Sequence, residues 1–145
     1  MEALLSKSLR RTKDLTEVDL ERLKDSPLIG LYFTASFCGP CKKFSSMLKL
    51  FYEEINADKV NFEVIVVPSD HDEAAYKAYV ADMPWLSVPF GDLKIKELQG
   101  KFKINGIPAL IVVDNKGNLI SKEGRKEVSV KGEEAYNEWL ENIPK

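Results

Sequence analysis

Sulfur and imidazole are scarce in this chain: its 145 residues hold two cysteines, Cys38 and Cys41, and one histidine, His71. A structural zinc site needs four ligands, and the usual thiolate and imidazole donors run out before that number. A bridge across so short a loop removes little unfolded-state entropy, so the pair makes a poor staple. A chain of this length buries roughly 70% of the surface its unfolded form exposes and needs none. An excess of one charge is also missing. The 21 basic and 23 acidic residues leave a formal net charge of −2 and a pI of about 5.6, which argues against a nucleic-acid partner. No apolar run approaches the roughly 18 residues of a membrane span. Met1-Glu2-Ala3-Leu4-Leu5-Ser6-Lys7 returns to polar residues too soon for a signal-peptide core. No membrane partner and a cytoplasmic setting are therefore expected, with nuclear entry open at this size; in that setting a CxxC is kept reduced or cycled. Repeats, low-complexity tracts and Gly/Ser linkers are absent too. One domain over residues 1–145 is expected, with 1–27 as a variable lead-in, acting as a monomer without metal or cofactor.

What is present centres on Ala35-Ser36-Phe37-Cys38-Gly39-Pro40-Cys41-Lys42-Lys43-Phe44. An apolar strand-like run leads into the pair and a helical pattern leaves it, which sets the first thiol at a helix N-terminus. Unpaired N–H groups and the helix dipole favour a thiolate there. Cys38 reads as the nucleophile and Cys41, one turn in, as the less exposed resolving thiol. Gly39 leaves room for a substrate backbone, and Pro40 at an early helical position loses no helix hydrogen bond. Lys42 and Lys43 add positive charge nearby, a small effect opposed by the dipole. His71 reads as a solvated loop residue.

The remaining pattern alternates strands and helices. Thr16 to Lys24 predicts a short capped helix or, at Val18, an edge strand. Leu28 to Ala35 and Val60 to Val67 read as buried strands. Phe44, Met47, Leu48, Phe51, Tyr52 and Ile55 form one face of a helix over about 39–57. Asp70, His71 and Asp72 offer N-caps to a helix with Ala75, Tyr76, Tyr79 and Val80 inward. Met83 to Phe90 is a loop or irregular strand, and a helix over about 92–102 turns Ile95, Leu98 and Phe102 inward. Gly106 to Val113 is a strand opened by Pro108, followed by a hairpin turn over Asn115-Lys116-Gly117-Asn118 into Leu119 and Ile120. A last helix, about 132–142, buries Ala135, Tyr136, Trp139 and Leu140. The fold class expected is α/β, a central mixed β-sheet with helices on both faces.

Phe37-Cys38-Gly39-Pro40-Cys41-Lys42, with Gly106-Ile107-Pro108-Ala109 ahead of a buried strand, resembles the thioredoxin superfamily over about residues 28–143. The resemblance implies a thioredoxin-like fold with a cis Ile107–Pro108 peptide against the sulfurs. It also implies that the backbone of Ile107 pairs with an extended substrate. Leu31-Tyr32-Phe33-Thr34-Ala35-Ser36, Phe51-Tyr52-Glu53-Glu54 and Met83-Pro84-Trp85-Leu86-Ser87-Val88-Pro89-Phe90 are similar to the tryparedoxin and nucleoredoxin branch. Three departures stand out. Tyr32 occupies the place of the buried aspartate of ordinary thioredoxins, which leaves proton handling to water or a group such as Asp70 or Asp72. Phe37 replaces the usual tryptophan before the first cysteine, and Gly39-Pro40 replaces the two prolines of tryparedoxins.

The expected function is that of a thiol–disulfide oxidoreductase. Cys38 and Cys41 are its catalytic residues, Gly39, Pro40 and Pro108 its active-site support, and Phe37, Ile107 and Trp85 its substrate contacts. Expected partners are disulfide-containing proteins, peroxiredoxins among them, and a thiol or reductase as electron donor. The alternative is a redox-sensitive nucleoredoxin-like binding module with little turnover.

Overall fold

The computed structural model describes Met1 and residues 4–145. Among the described residues, seven strands form one mixed sheet. In spatial order they are β2 (Glu17–Asp19), β1 (Ser8–Arg11), β5 (Leu86–Ser87), β4 (Phe62–Pro68), β3 (Leu28–Thr34), β6 (Ala109–Asp114) and β7 (Leu119–Ser121). The two apolar runs become the centre of the sheet because strands neighbour them on both sides and both faces are covered, so every residue of β3 and β4 is buried. They run parallel, Leu28 opposite Phe62 and Thr34 opposite Pro68, while β6 is antiparallel to β3 with Ala109 opposite Phe33. That register sets the end of β3 beside the start of β6, where the cysteine loop and Pro108 meet.

Alternation along the strands builds two cores. Leu28, Tyr32, Val64, Val66, Leu110 and Val112 pack on α1 (Gly39–Ile55), α2 (Glu73–Val80), α4 (Gly124–Lys131) and α5 (Glu133–Glu141). Ile29, Leu31, Phe33, Ile65, Val67, Ile111 and Val113 face Leu98 of α3 (Lys94–Lys101) and the lead-in residues Leu4, Leu5, Leu9, Val18, Leu20 and Leu23. The lead-in is thus part of the second core. Val18 lies on an edge strand, and Asp19, not Thr16, caps a 3-10 helix at Leu20–Asp25, its carboxylate accepting the Glu21 N–H at 2.8 Å. Asp72 caps α2, and His71 is exposed, as expected. Two residues expected inside lie outside: Met47 is on the margin of the α1 stripe and Leu140 in the last turn of α5, both more than a third exposed. Among the described residues no helix is long and apolar enough to cross a membrane.

Candidate active site

Cys38 is the N-cap of α1, with extended backbone (φ −102°, ψ 110°), and its Sγ accepts the Cys41 N–H at 3.2 Å. A sulfur therefore takes the place of the side-chain oxygen that ordinarily satisfies a free helix-start amide. Gly39 and Pro40 fill the first two helical positions, where proline's missing N–H has no partner to lose. The two sulfurs are joined, with Cα atoms 5.2 Å apart. Cys38 is half-buried and Cys41 fully buried. Across the cleft the Ile107–Pro108 peptide is cis, and the Ile107 carbonyl oxygen lies 3.9 Å from Cys38 Sγ. Arg125 at the start of α4 donates to the Pro108 carbonyl at 3.4 Å.

The loop before the pair is held by Asp70, whose Oδ1 accepts the Ser36 N–H at 2.9 Å. Phe37 beside it is 68% exposed and forms, with Leu93, an apolar rim on a groove of about 460 Å³ that also contains Asp70 and His71. Cys38 thus meets Ile107, with Phe37, Gly39 and Pro40 exposed beside it in the chain and Pro108 buried next to Ile107, while Trp85 lies apart in the core. Its indole is 2% exposed and packs edge-on against Tyr32 and Tyr52, with centroids 6.2 and 5.5 Å away. The expected substrate contact is a core residue supporting Tyr32 from behind: the proline-flanked segment pairs with β4 and carries the ring inward.

Beneath the pair, Tyr32 Oη donates to the Cys41 carbonyl at 2.9 Å and is 2.7 Å from Ser45 Oγ. Burial pushes the Tyr32 phenol above its usual range, with the Ser45 hydrogen bond pulling the other way, so it remains a donor and cannot serve as a base near neutrality. Asp72 is occupied as a helix cap, while Asp70 anchors Ser36 through Oδ1 and keeps its Oδ2 buried without a hydrogen-bond partner among the described residues. Two features escaped the sequence reading. Ser45 and Tyr79 join Tyr32 in a polar cluster; the signal was a serine four residues after Cys41 on the inward helix face. Glu63, hidden in the second apolar run, is 2% exposed and accepts from Tyr52 Oη at 2.9 Å and the Val64 N–H at 3.1 Å. Burial raises its carboxyl, against the pull of those bonds and of Arg22.

Residues 26–119 match a family model described as thioredoxin-like. The chain belongs to the thioredoxin-like family. Within it the similarity is to the tryparedoxin and nucleoredoxin branch. Probable nucleoredoxin 1 of Arabidopsis thaliana is 42% identical over 109 residues, 74% of this chain and 19% of that protein. Among solved structures, native tryparedoxin I from Crithidia fasciculata is 35% identical with a TM-score of 0.80, covering 88% of this chain and 87% of that one. Tryparedoxin from Trypanosoma brucei is 31% identical with a TM-score of 0.85, covering 95% and 96%. The thioredoxin-like chain spans about a fifth of the length of the Arabidopsis nucleoredoxin. This chain has its CxxC at the start of α1 and a cis peptide bond before Pro108.

Proposed function

We propose that this chain is a thiol–disulfide oxidoreductase that reduces protein disulfides. The observation that carries the reading is the Cys41 N–H directed at Cys38 Sγ at a helix N-terminus, a setting that favours the thiolate, beside the Ile107 carbonyl. Cys38 thiolate attacks a substrate disulfide; a Cys38–substrate bond forms and one substrate sulfur leaves as thiolate. Cys41, as thiolate, then attacks Cys38 Sγ, the mixed disulfide breaks, and the second substrate sulfur departs. Two electrons pass to the substrate, and the pair is left oxidised. An extended substrate segment pairs with the backbone of Ile107, its flank resting on Phe37. A peroxiredoxin-type protein is a fitting substrate and a thiol or a reductase the electron donor, in the cytoplasm and with the chain acting as a monomer.

Insulin reduction driven by a small dithiol tests the reading. Wild type is expected to exceed the dithiol alone, and Cys38→Ser to abolish the excess. A wild-type rate equal to that of the dithiol would instead favour a redox-sensitive binding module.

A further inference from the structure

Four hydroxyls behind the cysteine pair form a chain whose direction follows from donor counting. A carbonyl oxygen only accepts, so Tyr32 must give its single hydrogen to Cys41. Ser45 Oγ, 2.7 Å from Tyr32 Oη, must then donate to it. With that hydrogen in use, the 3.2 Å contact between Ser45 and Tyr79 has Tyr79 Oη as donor. Thr34 Oγ1, 2.6 Å from Tyr79 Oη, donates in turn. The O–H dipoles therefore run head to tail from Thr34 on β3, through Tyr79 on α2 and Ser45 on α1, to Tyr32 and the carbonyl of Cys41. Each bond polarises the next, and the positive end points at the resolving cysteine.

Cys41 is consequently held from both sides: its N–H is on Cys38 Sγ and its C=O on the end of the chain. We infer that Tyr79, acting with Ser45 through Tyr32, is a positioning residue for the resolving step; this rests on the exchange activity proposed above. In that step Cys41 sulfur must approach Cys38 Sγ in line with the departing substrate sulfur, and small losses of alignment cost rate. The first step needs only Cys38, which is half-buried at the cleft, so the chain should affect the second step selectively. A network that merely stabilised the fold would leave the ratio of the two steps unchanged.

An aromatic disulfide that releases one coloured thiolate on attack by Cys38 and a second on resolution by Cys41 separates the steps in a stopped-flow single turnover. Reduced wild type, Y79F, S45A and the double variant are compared, with Tm measured for each. The expected result is a first phase within about twofold of wild type in every variant and a second phase slowed about fivefold in Y79F. S45A should resemble Y79F, and the double variant should be no slower than the slower single, because both cut one chain. An unchanged second phase in Y79F, equal slowing of both phases, or slowing in the double equal to the product of the singles would overturn the inference. Y79F removes one oxygen from a half-buried ring and decides alone where S45A does not fold. A wild type that releases no thiolate overturns the exchange reading itself, a failure distinct from an unaltered Y79F.

Discussion

Gly124→Ala adds one methyl where α4 meets β6. A Cβ built there lies 2.6 Å from the Leu110 carbonyl oxygen and 2.9 Å from Leu110 Cγ, where ordinary contact begins at 3.4 Å. The oxygen belongs to a strand in register with β3, Leu110 opposite Tyr32, so it has little freedom to withdraw, and α4 must shift instead. Overpacking of this kind costs about 1–3 kcal/mol, with a main-chain clash at the upper end. Alanine's helix preference over glycine returns at most about 1 kcal/mol. A net loss of about 1–2 kcal/mol corresponds to a fall in Tm of roughly 2–8 °C for a chain of this size. Gly100→Ala in α3 is the control: nothing lies within 4 Å of its Cβ, so the same change should stabilise by about 0.5–1 kcal/mol. Thermal unfolding of the oxidised proteins, followed by far-UV circular dichroism, reads both. Because α4 carries Arg125 against the Pro108 carbonyl, Gly124→Ala should also lower kcat/KM for insulin. A Gly124→Ala variant melting at or above wild type would refute the packing argument.

Glu63 supplies a pH prediction. Its folded-state carboxyl is raised, chiefly by burial, so the folded state keeps the proton longer than the unfolded chain, and stability present at acid pH is lost as pH rises through the folded pKa. Glu63→Gln preserves an acceptor for Tyr52 and Val64 and should flatten this decline in urea midpoints measured across pH; an unaltered slope would count against it. Trp85→Ala should cost about 3–5 kcal/mol. Trp85→Phe should cost much less, since the indole N–H has no hydrogen-bond partner among the described residues, and it should leave KM unchanged. A shifted KM would restore Trp85 as a substrate contact. Phe37→Ala should change stability by no more than about 0.5 kcal/mol, given its exposure, yet lower kcat/KM; equal kcat/KM would exclude it from the substrate platform.

The central strands and α1 were legible because each rests on a strong local signal, β-branched runs and a 3.6-residue stripe, whereas the meeting of the CxxC with a cis Pro108 came from the resemblance to the thioredoxin superfamily. The short edge strands were not. β1 is four residues long with three of its positions polar, and it holds its place through Leu9, a contact no local pattern announces. β5 is two residues paired to β4 and β1, so its conformation is set by its neighbours. α4 escaped because Gly124–Lys131 is largely charged, with Val128 its buried side chain. At the site, the residues touching sulfur follow from sequence, whereas Trp85 reads equally as a surface aromatic or a core one until the sheet turns it inward. The Thr34–Tyr79–Ser45–Tyr32 chain joins β3 and α1 to the distant α2, and only the packed fold brings its oxygens together.

The most direct test of the dithiol mechanism is intact mass spectrometry of Cys41→Ser after incubation with a disulfide protein substrate such as oxidised insulin. Removing the resolving thiol should trap a mixed disulfide, mapped by peptide analysis to Cys38 and released by dithiol. Absence of any adduct, with the variant folded and its Cys38 free to alkylate, would contradict the account.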